Sequence, residues 1–347
     1  MAYTGGRRAI DARRRDLINF YKKINAREDE MRVLACAALL LAGIGPLAAQ
    51  DYPSRPITIM GTTPPGTSVD LTTRFFGDRV KAKTGQPFVV ENKPGAQGSI
   101  AAKAAASAKP DGYTAFLCTS GALSANQYLQ KSLNYDPNKD FQLVTRLFKL
   151  DFALIVNPEK TPVKTVAELT AFLKAKQGKI SYGYFSASMQ ALAAQYLYLT
   201  GITASPAAYR NPQQMMSELE AGDFDFSFAS ADYSLKPNPK LRTLAIASET
   251  RSSLLPDVPT QVEAGLTKAL PLYSWFGFCL PSGSPEIAAK TLTPILLEIA
   301  KRDEFREFLK NFAGEPFPGD AAEFEKTRAQ ANKDWEFFVT LAKIDAQ

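Results

Sequence analysis

Short apolar runs and longer helical patterns alternate along the chain from about residue 56. "PITIM" predicts a strand, and 69–83 carries apolar residues at helical spacing up to a stop signal, Gly85. "FVVEN" (88–92) predicts a second strand, "GSIAAKAAASA" (98–108) an alanine-rich helix, "PDG" a turn and "YTAFLCTS" (113–120) a third strand. A second set starts at "FALIVNP" (152–158). It continues through the amphipathic helix "TVAELTAFLKAK" stopped at Gly178, the strand "ISYGYF", and helices closed by Gly201 and Gly222. "FDFSFAS", "LRTLAIAS" and "LYSWFGFCLP" (272–281) read as further strands. After them the pattern predicts helices only, at 285–301, 303–313 and 321–343, a tail that must pack on one of the two strand groups. This alternation predicts an α/β fold of largely parallel sheets with helices on both faces. Ligands on such sheets lie where strand carboxyl ends meet helix N-termini. No repeat or low-complexity linker interrupts the order, so the boundaries near 150 and 272 are expected to be short strand crossovers, which make good hinges.

One segment stands outside the alternation. "VLACAALLLAGIGPLAA" (33–49) is too short to span a membrane, follows Met31-Arg32 and ends in small residues, so it reads as a signal-peptide core cleaved after Ala49. "VLAC" fails as a lipoprotein signal because almost no apolar stretch precedes Cys36. The polar first thirty residues are either an extended leading region or lie upstream of a true start at Met31, the second being the preferred reading. Residues 1–49 are therefore set aside, and the charge argument changes with them. The whole chain has 41 Lys+Arg against 35 Asp+Glu, but residues 1–49 hold nine basic and five acidic side chains, leaving 32 against 30. So near-neutral a remainder carries no polybasic patch for nucleic acid or a membrane surface.

Histidine is absent from the chain. That removes Ser-His-Asp and Cys-His catalysis, His-ligated zinc and the commonest general base. Cys118 and Cys279 are the two cysteines beyond the leader, too few for a thiolate metal cluster; they form either one disulfide or two buried thiols. Acidic pairs such as Asp223/Asp225 look like turn and solvent-facing positions, and no paired-carboxylate catalytic set stands out. No catalytic residue, metal or cofactor is expected.

Two loops carry the candidate chemistry. "PPGTS" (64–68) and "PGAQGS" (94–99) both run from a strand into a helix with glycine and small polar residues. Glycine lets backbone N–H groups converge, and the helix dipole favours an anion there. The plainer reading is a pair of ordinary turns with serine caps. "PGAQGS" has the wrong glycine spacing for a dinucleotide fingerprint. Thr119, Ser120 and Ser124 follow the third strand, where side chains meet the same cleft. Tyr182, Tyr184, Phe185, Ser186 and Ser188 follow a strand of the second group. Tyr209 and Arg210 precede a helix, and Arg210 is suited to gripping a carboxylate with both nitrogens, or else is a solvated surface residue.

Several stretches together resemble the periplasmic solute receptors of tripartite tricarboxylate transporters, the Bug-type receptors. They are "YPSRPITIM", "PPGTSVD", "VVENKPGAQGSIAAKAAASAKPDGYT", "YDPNKDFQLV", "VNPEKTPVKTVAEL", "LRTLAIASETRSSLLPDVPTQVEAGL" and "WFGFCLPSGSPEIAAKTLTPILLEI", in family order across nearly all of 52–340. The resemblance implies a two-lobed, Venus-flytrap binding protein of the type 2 periplasmic class. Lobe one would join 51–149 with 273–347, and lobe two would span 150–272. It further implies a monomer in the periplasm that closes over a small carboxylate and hands it to membrane transporter subunits. The alternatives are an orphan receptor feeding a signalling system and, at longer odds, an enzyme on the same scaffold. The resemblance implies a carboxylate held by Thr62, Thr63, Pro64, Thr67, Ser68, Ala96, Gln97 and Gly98, and the positions read above add Ser120, Tyr184, Ser186, Ser188, Tyr209 and Arg210 to the expected ligand set. In the implied topology the 272–281 strand runs beside "YTAFLCTS", so Cys118 and Cys279 would face each other.

Departures from the family pattern bear on the ligand. Thr67 stands where a second glycine is usual, Ala191 where a histidine is usual, "AYRN" replaces "PYKG", and Ala229-Ser230 replace an acid or asparagine. These imply a more aromatic, less acidic lobe-two wall. The expected ligand is a dicarboxylate with an apolar or aromatic body rather than an amino acid, whose ammonium would want a carboxylate partner.

Overall fold

The computed structural model describes residues 52–209 and 212–342. The expected signal peptide, its cleavage point and Arg210 lie outside the described residues. Three strands open the fold: β1 (Ile57–Gly61), β2 (Phe88–Asn92) and β3 (Thr114–Thr119), with α1 (Ser68–Thr84) and α2 (Ser99–Ala106) between them. Alternation along β3 sends Ala115 and Leu117 into one core and Phe116 and Cys118 into another. The sheet is thus buried on both faces, and its strands read as unbroken apolar runs.

A short helix, α3 (Asn126–Leu129), and β4 (Phe141–Leu150) follow. Asp151 alone separates β4 from β5 (Phe152–Val156), which opens a second sheet. That sheet is completed through α4 (Val166–Ala175), β6 (Ser181–Tyr184), α5 (Ala187–Thr200), β7 (Ser205–Ala208), α6 (Pro212–Ala221), β8 (Phe226–Ser230) and β9 (Arg242–Ile246). β10 (Ser274–Pro281) returns to the first sheet, followed by α7 (Glu286–Lys301), α8 (Asp303–Lys310), β11 (Gly314–Gly319) and α9 (Ala321–Ala342).

The strand orders are β11-β4-β10-β3-β1-β2 and β7-β6-β8-β5-β9. The sheets are mixed rather than largely parallel. β1 pairs parallel with β2 and β3, and β6 with β7 and β8, whereas β10, β11 and β5 run antiparallel to their neighbours. A parallel neighbour needs a crossover of a dozen or more residues to bring the chain back. β5 enters its sheet straight from the other, one residue after β4, whereas β10 arrives from the second sheet through the long segment 247–273 rather than the short crossover expected near 272.

The C-terminal tail also differs from expectation. "GEPFPG" forms the edge strand β11 between the last two helices, because Pro316 and Pro318 lack the N–H a helix interior needs and an edge tolerates them. Nor does the tail choose one core. Phe324 of α9 packs with Cys118 and Trp275, while Trp335 and Phe338 of the same helix join the core of the second sheet. Gly277 permits the first contact, since a Cβ there would lie 2.4 Å from Thr145 O and 2.6 Å from the Phe324 ring. β4 and the four-residue β7 were not legible as strands. In β4, Arg146 and Lys149 interrupt the apolar run.

Cys118 and Cys279 are both fully buried on the antiparallel pair β3/β10 and are joined as a disulfide, with Cα atoms 6.0 Å apart.

Candidate functional site

β1 ends at Gly61, and its loop is drawn tight before α1 begins. Thr67 caps α1: its Oγ1 accepts from the Asp70 N–H at 3.3 Å and lies 2.8 Å from Thr63 Oγ1 and 2.9 Å from Pro64 O. The Asp70 carboxylate, 2% exposed, accepts from the Gly66 N–H (2.8 Å), Asn92 Nδ2 (2.8 Å) and Arg74 Nε (3.0 Å). Asn92 also donates to Thr63 O at 2.9 Å. One buried carboxylate and one side-chain amide therefore tie the turn to α1 and β2. Burial pushes the Asp70 carboxyl up, but hydrogen bonds from Arg74, Gly66 and Asn92 outweigh it and hold it below its usual value. This narrows the anion reading of the turn. The Gly66 N–H is committed inside it, whereas the first-turn N–H groups of Ser68 and Val69 have no intrahelical acceptor.

The second loop is more unusual. Gly95, Ala96, Gln97 and Gly98 have φ of 121°, 44°, 53° and 87° in succession. For Ala96 and Gln97 this costs about 1–2 kcal/mol each, and such backbone persists only where its surroundings over-determine it. Asn126 and Gln130 do so from behind. Asn126 Nδ2 donates to Gln97 O (3.2 Å) and Ser99 Oγ (2.9 Å), and Gln130 Nε2 to Ala96 O (3.2 Å) and Ser99 Oγ (2.8 Å). A trans peptide is planar with its N–H opposite its C=O. With both carbonyls drawn to one side, the N–H groups of Gln97 and Gly98 point to the other. The Gly98 N–H closes the turn onto Gly95 O at 2.9 Å, so that of Gln97 is the one on offer.

The two loops touch. A Cβ on Gly98 would stand 3.2 Å from Thr62 Cγ2, and one on Gly121 3.5 Å from Gln97 O. Thr62 Oγ1 is buried beside this contact with no hydrogen-bond partner among the described residues. Thr62, Thr63, Thr67, Ser68, Ala96, Gln97 and Gly98 therefore lie in one neighbourhood without a charged side chain, with Pro64 shaping its turn, whereas Ser120 lines a separate cavity. Asn126, Gln130, Asp70 and Asn92, which shape it, carried no motif that would have singled them out.

Tyr184, Ser186, Ser188 and Tyr209 form a second group. The Tyr209 N–H donates to Tyr184 O at 2.8 Å, and Ser186 Oγ caps α5 by accepting from the Met189 N–H at 3.4 Å, with Ser188 in the same first turn. The Tyr209 hydroxyl donates to the Glu218 carboxylate, which occupies it; burial and that carboxylate push its pKa well up. Ala191 and Ala229 are fully buried core residues rather than parts of a wall. Asp232, passed over in the sequence, follows β8; burial raises its carboxyl, and its Oδ1 has no partner among the described residues. Among the described residues no hydrogen bond joins this group to the first.

A cavity of about 390 Å³ lies elsewhere, between the start of β10 and one side of α9, and Ser120 is its single lining residue from the expected set.

Comparison with known proteins gives a consistent pattern. The profile of the tripartite tricarboxylate transporter family receptor matches residues 72–341. The UPF0065 protein in the gbd 5′ region of Cupriavidus necator is 31% identical over 307 residues, covering 86% of this chain and 91% of that one. BugT of Bordetella pertussis is 31% identical over 263 residues, 73% of this chain and 79% of its own. Among solved structures, an R. palustris protein with adipate superposes with a TM-score of 0.77 at 25% identity, covering 86% of this chain and all of that one. The periplasmic binding protein BugD superposes with a TM-score of 0.74 at 24% identity over 85% of this chain and all of its own.

Proposed function

Because this chain belongs to the tripartite tricarboxylate transporter receptor family, a family of periplasmic solute-binding receptors, we propose that it captures a dicarboxylate with an apolar or aromatic body for a tripartite transporter. The observation that supports this most is the strained run Gly95–Gly98, held by Asn126 and Gln130 against the Thr62 loop. It gathers N–H and hydroxyl donors without a side-chain charge, the chemistry a carboxylate needs. The R. palustris relative solved with adipate fits the same reading.

In this reading residues 51–149 and 273–347 form one lobe and 150–272 the other. The second carboxylate meets the group at Tyr184, Ser186 and Ser188, with Arg210 as its charged partner. The protein acts as a monomer, exported by the signal peptide at 31–49. A ligand stabilises the closed form only by its differential affinity for it, so lobe-two contacts count as much as the cradle. Asp232 favours a second reading, an acid that also carries an ammonium group.

Thermal-shift screening of residues 52–347 separates the two. Adipate or terephthalate at a hundredfold excess over Kd should add about 2.7 kcal/mol of stability, while aspartate and glutamate do nothing. Tight aspartate or glutamate binding that is lost in Asp232→Asn would establish the second reading instead.

A further inference from the structure

The cavity beside α9 has a chemistry unlike the donor-rich loops. Along α9 its lining residues recur every three to four positions, at Glu323, Lys326/Thr327, Gln330/Ala331 and Asp334/Trp335, so one full stripe of the helix faces it. The opposite side is Tyr273 and Trp275 at the entry to β10, with Glu249 from the segment after β9. Its charges divide into two ends. At one, Arg146 is already engaged: Nε donates to Phe317 O (2.9 Å), Nη1 to Thr327 Oγ1, and its guanidinium stacks 3.5 Å over the Phe317 ring. Glu323 lies within electrostatic reach of Arg146 and accepts from the Asp320 N–H at 3.0 Å.

At the other end, Glu249 and Asp334 both line the cavity within electrostatic reach of each other, with no Lys or Arg in ion-pair contact among the described residues. Asp334 has a single hydrogen-bond donor, Gln330 Nε2 at 2.8 Å. Burial, and to a lesser degree the Glu249 charge, push the Asp334 carboxyl up, and the Gln330 hydrogen bond with its chain neighbour Lys333 only partly offsets them. Lys326, two helical turns away, is about 12 Å distant along the axis. The walls between are aromatic: Trp275 and Trp335, almost fully buried, and Tyr273, whose ring already holds the Lys149 ammonium 5.2 Å from its centroid, Lys149 itself being paired with Asp151 and Glu315. Ser120, 6% exposed, also lines the cavity, and its hydroxyl has no partner among the described residues.

We propose that this cavity is a second binding site, for a small organic ammonium ion seated between Glu249 and Asp334 against the rings of Trp275 and Trp335. Two carboxylates supply the countercharge, the indoles supply rings that attract cations, and Ser120 supplies a hydroxyl acceptor. A volume of about 390 Å³ suits a ligand of this size. The site is independent of what the loops at 62–68 and 95–98 bind.

The chain has two tryptophans, and both line the cavity, so intrinsic tryptophan fluorescence reports its occupancy directly. The probe is phenethylammonium, with uncharged 2-phenylethanol as its control. Phenethylammonium should give a saturable change with affinity about tenfold better than the alcohol, the factor expected for two partly exposed ion pairs. The Glu249→Gln, Asp334→Asn double variant should lose that advantage. If the variant does not fold, the wild type decides: raising salt must weaken the amine and leave the alcohol unchanged. No saturable response, equal affinity for amine and alcohol, or insensitivity to salt overturns the proposal.

Discussion

Replacing Asp70 with alanine tests whether the first loop is built as described. The substitution removes one acceptor and strands two donors, the Gly66 N–H and Asn92 Nδ2, each at 2.8 Å in the native turn. A partly buried donor left without its acceptor costs about 1–2 kcal/mol. Arg74 is different: it is 46% exposed, regains water, and its pair contributes only about 0.5 kcal/mol. The expected loss is therefore about 3 kcal/mol, against well under 1 kcal/mol for an acidic residue that merely complements a helix dipole. The loss must also depend on pH in one direction. The folded state holds the Asp70 carboxyl below its ordinary value. Its stabilisation is thus fully present above the unfolded pKa, near 4, and disappears as pH falls through the folded one. Urea denaturation of wild type and variant from pH 7 down to pH 3 reads both quantities. A difference below 1 kcal/mol at pH 7, or one that does not shrink with acid, would refute the bracing of the turn by this carboxylate.

Asp151, the single residue between β4 and β5, should behave oppositely. Burial pushes its carboxyl up to about 6, Lys149 opposes the shift and Glu315 adds to it, so the folded state takes up a proton between about pH 4 and 6. Its contribution is greatest below pH 4 and is lost as pH rises through 6, by about 3 kcal/mol for two pH units. Asp151→Asn should flatten that slope in denaturation midpoints, and an unchanged slope counts against the assignment. Gly98→Ala combines φ of 87° with a Cβ 3.2 Å from Thr62 and should lose about 2 kcal/mol together with carboxylate binding; Gly85→Ala, at φ 72° with nothing within 4 Å, should lose about 1 kcal/mol and leave binding intact. For the disulfide, alkylation of unreduced, denatured residues 52–347 should find no free thiol. Reduction should lower stability by up to about 5 kcal/mol for a closed loop of 161 residues.

Where one physical signal dominated, the sequence could be read directly. β1, β3 and the helices ending at Gly85, Gly201 and Gly222 were legible because apolar runs and left-handed C-terminal glycines act locally. β4 was not, because Arg146 and Lys149 sit among its apolar residues, held there by the adjacent Asp151 and by Phe317, Thr327 and Glu315 from far along the chain. β11 was missed for a related reason. A helical pattern on both sides invited continuation, and only pairing with β4 gives "GEPFPG" a place. The loops at 62–68 and 95–98 were visible as glycine-rich turns entering helices. Their rigidity was not, since it comes from Asp70, Asn92, Asn126 and Gln130, polar residues whose spacing has no period. Two surroundings were likewise invisible in the sequence: Glu218 takes the Tyr209 hydroxyl, and the core takes Ala191.

The division of labour in the cradle follows from what a receptor must do. A buried counter-ion would make capture and release of the first carboxylate costly, because water must be stripped from both charges and restored. Backbone N–H groups at the start of α1 and at Gln97 offer directional attraction with no charge of their own to desolvate. They hold a fixed aim only if the backbone behind them is rigid. The polar side chains are therefore turned inward: Asp70 and Asn92 grip one loop, Asn126 and Gln130 the other, and Thr62 meets Gly98 where the two join. In the proposed reading, charge sets the geometry of these two loops, and that geometry rather than a charge meets the first carboxylate.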